Sequence, residues 1–420
     1  MNTKKLRTGL IGNPLGHSWS PEIHALLGDY EYRLMPMEEE AVGPFLAAGD
    51  FDALNVTIPY KKTVMPFLDS ISDEARRIGS VNTVVRDGSG RLHGYNTDYA
   101  GFSYMLDRAG IALGGRKVVI LGSGGASVTA RCVAGDRGAA EIVVISRSGE
   151  DNYTNLDRHR DADVLINTTP VGMFPKNGVS PVSLDCFPGL SAVVDMIYNP
   201  ERTALILDAE ERGIPCTSGL PMLVAQAVRA SELFTGTSIP EERVEEVIRA
   251  VQRSRRSIVL IGMPGCGKST LGKKLAARLR RPFADLDAEI VRSAGKTIPD
   301  IFREDGEARF RELETETLRE LTKQSGLVLA TGGGAVIRAE NRRLFRENGT
   351  TLLLLRPLDE LARGGRPLSQ THTPEELWEA RREFYLSAAD VTVESAPDPE
   401  DTLRRALEAL GFEADGGEES

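Results

Sequence analysis

Residues 262–270, "GMPGCGKST", fit the pattern GxxxxGK[ST] in full. In such a run the backbone N–H groups of Gly262, Gly265, Cys266 and Gly267 cradle phosphates, with Thr270 just beyond. Lys268 reaches the β and γ oxygens, and the Ser269 hydroxyl ligates Mg2+. The motif calls for a nucleotide triphosphate, ATP, and does not say what accepts the phosphate. A second glycine run lies upstream. Gly122-Ser-Gly124-Gly125-Ala126-Ser127 follows an apolar stretch and departs from GxGxxG at its last position. Gly122 and Gly124 suit a tight turn and close approach to a pyrophosphate at a helix start. Arg147 stands where an acidic residue would hold a ribose 2′-hydroxyl, which suits a 2′-phosphate and hence NADP(H) over NAD. The alternative is a solvated arginine.

Other residue types at suggestive spacing surround these runs. Ser18 and Ser20 precede a helical pattern, either to hold a carboxylate or as ordinary caps. "NVTIPYKK" carries Asn55, Thr57, Lys61 and Lys62, and "GYNTDYAG" carries Asn96 and Asp98. A ketone reduced by hydride develops alkoxide charge and needs a proton donor, which a lysine beside an aspartate can supply. Spacing alone does not pair Lys61 with Asp98. Downstream, Asp285 and Asp287 sit two apart at an expected strand end and so share a face. That suits one carboxylate near a metal and one on an acceptor hydroxyl. Gly332–Gly334 allow backbone to lie against a small ligand. Arg311, Arg363, Arg366, Arg381 and Arg382 add cations, each of which alone reads more readily as solvated. "ARGGRPLS" suits a mobile lid.

The elements that must position these residues read as α/β throughout. Residues 1 to about 110 alternate apolar runs ("LRTGLIG", "YRLMPM", "ALNVTIP", "VNTVV") with helical patterns, and "PFLDSISDEARRIG" reads as one helix ended by Gly79. "KVVILG", "EIVVIS", "DVLINTTP", "AVVDMIY" and "PCTSG" have the rhythm of a doubly wound parallel sheet. The polar stretch "GEDNYTNLDRHRDAD" is too short for a crossover helix and a further strand. "SIPEERVEEVIRAVQRSRR" reads as a helix with a Ser238–Glu241 capping box and Val244, Val247, Ile248 and Val251 on one face. A short linker, "QRSRRS", then precedes a fresh strand, "IVLIG". The expected domains are 1–110, 111–252 and 257–412, with a frayed tail at 413–420.

A chain of 420 residues suits two or three domains. A net charge of −10 argues against a nucleic-acid partner, which calls for a basic face. The four cysteines are scattered without a CxxC, and the five histidines make no metal-ligand spacing. The absence of an 18-residue apolar run or a leader-like start leads to the expectation of a cytoplasmic protein with no membrane span. Oligomeric state is not legible.

In order and approximate spacing, "GNPLGHSWSPEIH", "NVTIPYKK", "IGSVNTVVR", "GYNTDYAGF", "LGSGGAS", "INTTPVGMFP", "DMIYNPERTALI" and "GLPMLVAQA" resemble shikimate dehydrogenases over residues 7 to about 250. The resemblance implies NADPH-dependent reduction of 3-dehydroshikimate to shikimate. It implies that Ser18 and Ser20 hold the substrate carboxylate and that Thr57, Asn82, Tyr198 and Gln226 line the pocket. Lys61 is implied as the catalytic lysine with Asp98 as its partner. Gly219 and Met222 lie by the nicotinamide, while Lys62 has no family role. Where the family usually reads Asn-Arg-Thr with a further basic residue, this chain has Ser146-Arg147-Ser148 and then Gly149, Glu150 and Asp151.

Residues 257 to about 410 resemble shikimate kinase through "GMPGCGKST", "FADLDAEI", "IFREDGEARFRELE", "TGGGAV", "GRPL" and "RREFY". That resemblance implies that Asp285 assists Mg2+ beside Ser269 and that Asp287 binds the acceptor hydroxyl. Arg311 and Arg381 hold the substrate carboxylate, with Gly333 and Gly334 against the ring. The resemblance further implies that Arg366 stabilises the transferred phosphoryl group and that Arg363 faces the adenine side. The lid is short, and Glu383 replaces a usual proline. The whole chain then resembles a fusion of a substrate domain, a Rossmann-like NADP domain and a P-loop kinase domain. It would perform two consecutive steps of aromatic amino acid biosynthesis. The alternative is a quinate/shikimate dehydrogenase with a regulatory, ATP-binding kinase-like domain.

Overall fold

A computed structural model describes residues 5–16, 18–361 and 373–413. The chain divides into two compact units, Met1–Gln252 and Arg253–Ser420.

The first unit holds two sheets. In chain order, β1 (Arg7–Gly12), α1 (Ser20–Ala25), β2 (Glu31–Pro36), α2 (Glu39–Ala48), β3 (Ala53–Val56), β4 (Ser70–Ile71), α3 (Asp73–Ile78), β5 (Thr83–Arg86) and β6 (Leu92–Tyr95) build the first. Its six strands lie in the order β2-β1-β3-β5-β6-β4, with β5 antiparallel to both neighbours. α4 (Asp98–Arg108) then leads to the second sheet. There, β7 (Lys117–Leu121), α5 (Gly125–Asp136), β8 (Glu141–Ile145), β9 (Val164–Asn167), β10 (Ala192–Asp195), α6 (Ala204–Glu211) and β11 (Cys216–Thr217) follow in turn. The five strands are parallel, in the order β11-β10-β9-β7-β8. α7 (Leu220–Thr235) returns to pack along α4, and α8 (Glu241–Arg255) follows.

The second unit is one parallel sheet, β13-β14-β12-β15-β16, with helices around it. Its elements are β12 (Ser257–Ile261), α9 (Lys268–Arg278), β13 (Phe283–Asp285), α10 (Leu286–Ala294), α11 (Ile298–Glu304), α12 (Gly306–Leu321), β14 (Val328–Ala330), α13 (Ala339–Asn348), β15 (Gly349–Leu355), α14 (Pro374–Ala388), β16 (Val391–Glu394) and α15 (Pro399–Ala409). β7, β9, β10 and β12 are nearly continuous runs of Val, Ile and Leu, buried from end to end or at all but one residue. Such runs are what strands covered on both faces require.

Several sequence expectations need correction. The stretch 66–79 is not one helix. Ser70 and Ile71 pair with His93 and Gly94 as an edge strand, and α3 starts only at Asp73, where the Ser72 hydroxyl accepts the Ala75 N–H. Sheet pairing and a good N-cap together outweigh the helical pattern upstream. The expected Ser238–Glu241 box does not frame α8, which begins at Glu241 behind Pro240; the N–H of Ile239 is instead taken by Glu232. No extended linker follows. α8 runs on to Arg255 and β12 starts at Ser257, because good helix formers fill 252–255. As expected, the short polar crossover between β8 and β9 holds no α-helix or further strand, only a 3-10 turn, Leu156–His159. Among the described residues no helix is long and apolar enough to cross a membrane, and all four cysteines are unpaired.

Candidate active sites

Each sheet of the parallel type presents a glycine turn at the carboxyl end of the strand where the winding reverses. These strands are β7 and β12, and that is where ligands bind in open α/β sheets.

In the first unit, Lys61 follows β3 and Asp98 opens α4. Lys61 Nζ lies 2.5 Å from Asp98 Oδ2, and both side chains retain some solvent access. The second carboxylate oxygen of Asp98 accepts from Asn82 Nδ2 at 2.9 Å. Asn82 is buried, and its Oδ1 accepts the Thr97 N–H at 2.7 Å. Asn96 ties the same turn to Ser80 through its side-chain amide, at 2.9 Å to the carbonyl. The carboxylate is therefore held on one side by an amide donor and on the other by the ammonium, which leaves the lysine aimed by a rigid floor. Gln226, on α7, meets this floor through Thr97 Oγ1 at 3.4 Å.

Ser18 and Ser20 share a hydrogen bond at 3.1 Å between their hydroxyls, and although Trp19 is the N-cap position of α1, Ser18 Oγ accepts the N–H of Ser20, the first helical residue, at 3.3 Å. Ser18 thus satisfies one helix-start N–H, as an ordinary cap would, so the capping and carboxylate readings both stand for it. The Trp19 ring meets Tyr198 edge-on at 4.9 Å, which links the serine turn to the segment after β10. Thr57 takes up the strand end, its N–H bonded to Ile11 O at 2.9 Å. Trp19, Thr97, Asn55 and Thr83 belong to this network and were not singled out in the sequence, apart from Asn55 as a member of its strand-end run. Thr97 stood between two residues that were, and the "NTD" triplet could have flagged it.

The cofactor turn shows why its glycines differ. Gly122 has φ of +102°, and a Cβ there would press on Thr168 and Thr169. Gly219, the N-cap of α7, has no room beside the Met196 carbonyl. At Gly124 and Gly125 a Cβ would meet nothing. The protein's own packing does not demand glycine there, whereas a phosphate approaching the N–H groups at the start of α5 does. That donor set fits a dinucleotide pyrophosphate. Ala126 follows in the first turn of α5, and the next residue, Ser127, is buried with its hydroxyl unpartnered. It faces the helix–sheet packing that the last position of the pattern serves. Arg147 is exposed just beyond β8, and Met222 is partly buried on α7.

In the second unit, Gly262, Gly265 and Gly267 have φ of +142°, +83° and +104°, conformations other residues rarely adopt. Lys268 is buried, with Nζ 2.9 Å from both Gly262 O and Met263 O. Cys266 is buried and Thr270 exposed. Ser269 Oγ lies 2.5 Å from Asp285 Oδ2. Two hard oxygen donors from different elements fit Mg2+, and the left-handed loop with its lysine fits a triphosphate.

Asp285 and Asp287 do not lie on one strand face as expected. Asp285 ends β13 and caps α10, accepting the N–H groups of Asp287 and Ala288, while Asp287 is in the helix itself. The cap turns the chain between them, so strand alternation does not apply. Asp287 Oδ1 and Glu314 Oε1 both face Gly332, where a Cβ would lie 2.9 and 3.3 Å from them. Glu314 is fully buried on α12, and its two oxygens accept from Arg311 at 3.1 and 2.9 Å. Burial pushes the Glu314 carboxyl up and Arg311 opposes this. Gly334 is small because the Arg311 guanidinium lies over it. Arg381 is buried and donates to Gly333 O at 3.2 Å, and the Tyr385 hydroxyl donates to the same carbonyl. Glu314 and Tyr385 were not singled out in the sequence; Glu314, three residues after Arg311 on a helix, was open to the i,i+3 rule. Arg363 and Arg366 lie outside the described residues.

Comparison with known proteins matches both halves. The shikimate dehydrogenase substrate binding domain matches residues 10–84, the shikimate 5'-dehydrogenase C-terminal domain residues 219–249, and shikimate kinase residues 264–411. Shikimate dehydrogenase (NADP(+)) of Clostridium beijerinckii is 37% identical over 245 residues, 54% of this chain and 90% of that protein. The enzyme of Clostridium perfringens strain 13 is 38% identical over 261 residues, 57% of this chain and 96% of its own. Among solved structures, a chorismate mutase/shikimate 5-dehydrogenase fusion protein from Clostridium acetobutylicum is 37% identical with a TM-score of 0.56, covering 59% of this chain and 98% of that one. Shikimate 5-dehydrogenase from Thermus thermophilus, in complex with NADP(H) and shikimate, is 33% identical with a TM-score of 0.53, covering 58% and 99%. The chain belongs to the shikimate dehydrogenase family through its first unit and carries a shikimate kinase domain in its second.

Proposed function

We propose that the first unit reduces 3-dehydroshikimate to shikimate with NADPH and that the second phosphorylates the resulting 3-hydroxyl with MgATP, in the cytoplasm. The observation that carries this reading is the presence of two polar sites on one chain: the Lys61–Asp98–Asn82 floor, and the lysine-bearing loop in the unit that holds Arg311 and Arg381.

NADPH, when bound, supplies the hydride. The chain's task is to hold the ketone and move a proton. Ser18 and Ser20 bind the substrate carboxylate through their paired hydroxyls. Thr57, Asn82, Tyr198 and Gln226 line the ring pocket. Lys61 Nζ protonates the oxygen as the carbonyl carbon is reduced, and Asp98 keeps that nitrogen in place. Gly122, Gly124, Gly125 and Ala126 take the pyrophosphate, Arg147 the 2′-phosphate, and Gly219 and Met222 border the nicotinamide.

In the second unit MgATP supplies the phosphoryl group and the metal charge that neutralises it. The glycine loop and Lys268 hold the phosphates, and Ser269 and Asp285 are the metal's oxygen partners. Asp287 orients the 3-hydroxyl and accepts its proton, Arg311 and Arg381 bind the carboxylate, and Gly333 and Gly334 lie against the ring. The same small anion is thus held by hydroxyls in one unit and by guanidinium groups in the other.

The test is a one-pot assay with 3-dehydroshikimate, NADPH and MgATP, following NADPH loss and shikimate 3-phosphate together. Lys61→Ala is expected to abolish NADPH loss while leaving phosphorylation of added shikimate intact, and Lys268→Ala to do the reverse. If either variant, still folded, lost both activities, the two-site reading would be wrong. Oxidation of quinate without any phosphorylation of shikimate would favour a dehydrogenase with a merely regulatory second unit.

A further inference from the structure

We propose that Arg77, Asp136 and Tyr99 form a clasp that sets the cofactor helix α5 against the Lys61–Asp98 floor, so that all three are positioning residues for hydride transfer; this rests on the reductase reading above.

Asp136 is the last residue of α5. A carboxylate there faces the negative end of the helix dipole and is in an unfavourable place unless something else holds it. What holds it comes from two other helices. Arg77, on α3, makes a two-pronged pair with it, Nη1 to Oδ1 at 2.8 Å and Nη2 to Oδ2 at 2.9 Å. Tyr99, on α4, donates its hydroxyl to Oδ2 at 2.8 Å. Arg77, with Tyr99 second, holds the Asp136 carboxyl below its usual range, so the group is ionised wherever the enzyme works.

Each helix leads directly to reacting groups. α3 ends at Gly79 and passes into Ser80, which Asn96 holds, and Asn82, which holds Asp98. Tyr99 is the residue after Asp98. The opposite end of α5 is the glycine turn at Gly124 and Gly125. The neighbouring Arg137 already pins α5 to α4, through Asp107 at 2.6 and 2.7 Å and Ser103 O at 3.0 Å. Arg77 adds the tie from α5 to α3, across from the first sheet to the second.

The magnitude indicates positioning more than folding. Arg77 and Asp136 are half exposed and over one-third exposed, and an ion pair this accessible biases an equilibrium by only about five-fold. A unit with several buried clusters does not need that bias to fold. A close hydride approach does respond to it, because small misplacements of reacting atoms cost large factors in rate.

The experiment uses the full-length chain. Arg77→Met and Asp136→Asn are each compared with wild type for reductase kcat, both KM values, the primary deuterium isotope effect with 4-deuterated NADPH, and kinase kcat. The expected result is a fall in reductase kcat of about five- to ten-fold, with KM values nearly unchanged, a larger isotope effect on kcat, and full kinase activity. Arg77→Lys should recover part of the loss, and added salt should slow wild type but not the variants. A lower melting temperature with unchanged reductase kcat and isotope effect would overturn the clasp and leave a mere brace. So would parallel loss of both activities in a poorly folded Asp136→Asn protein together with normal kinetics in Arg77→Met. Absence of NADPH oxidation by wild type would instead defeat the reductase reading itself.

Discussion

At the residue scale, one buried carboxylate of the first unit carries a pH signature. Asp195, at the end of β10, is fully buried and accepts from Thr203 Oγ1 at 2.7 Å, Asn167 Nδ2 at 3.0 Å and the Ile197 N–H at 3.0 Å. Burial nevertheless dominates these donors and pushes its carboxyl up to about 6. The unfolded chain gives up this proton near the ordinary aspartate value, so ionising the group in the folded state costs stability. Its contribution is fully present below the unfolded value and is lost as pH rises through about 6. Asp195→Asn is therefore expected to gain stability relative to wild type as pH rises from about 4.5 to about 7.5, by about 2 kcal/mol. Paired denaturant titrations of the reductase unit at the two pH values would measure it; a constant difference between the proteins would contradict the assignment.

At the element scale, the glycine turns do unlike work in similar positions. Gly262 has no alternative, since at φ of +142° a Cβ would also strike Leu354 O at 2.5 Å. Gly334 differs: the nearest atoms a Cβ there would meet are those of the Arg311 guanidinium, the far end of a flexible side chain. Gly334→Ala is thus expected to leave the melting temperature within about 2 °C while shifting Arg311 and raising the KM for shikimate about ten-fold, with kcat less affected. Steady-state kinetics beside a thermal melt would separate the two effects; a large fall in melting temperature would mean that the backbone, not Arg311, is what Gly334 accommodates. The capping and pairing that cut 66–79 into a strand and a short helix act on the same scale, and they carry Ser80 and Asn82 to the floor beneath Asp98.

At the scale of the whole molecule, the division into two compact units falls within α8, between Gln252 and Arg253. Its buried face, Val244, Val247, Ile248 and Val251, belongs to the first unit. The last helical residue and the one after it bond within the second: Arg255 O accepts from Gly326 N at 2.7 Å, and Arg256 O from Arg281 Nη1 at 2.8 Å. A fragment of residues 253–420 is expected to keep kinase kcat within about two-fold and to be more stable than a fragment of residues 257–420, which lacks those acceptors, by roughly 1–2 kcal/mol. Kinase assays and melts on the two fragments would decide, and equal stability would show that the helix end contributes nothing to the second unit.

Much of this was legible without coordinates because the signals are local. Glycine at positive φ, a lysine opening a helix after such a turn, continuous apolar strands and the 3.6-residue stripe of α8 are all set by a residue and its near neighbours. They were enough to read two nucleotide cradles, their different cofactors and the parallel sheets between them. What the tertiary structure decided is which distant residues meet. Lys61 and Asp98 are 37 residues apart and come together because β3, β5 and β6 lie side by side, with β3 and β6 running the same way, so that both residues follow strands ending at one end of the sheet. Asp285 turned from strand residue to helix cap, Glu314 became the buried partner of Arg311, and Asp136 found Arg77 and Tyr99. Sheet order and helix packing are global outcomes of burying apolar faces, so no window of sequence carries them.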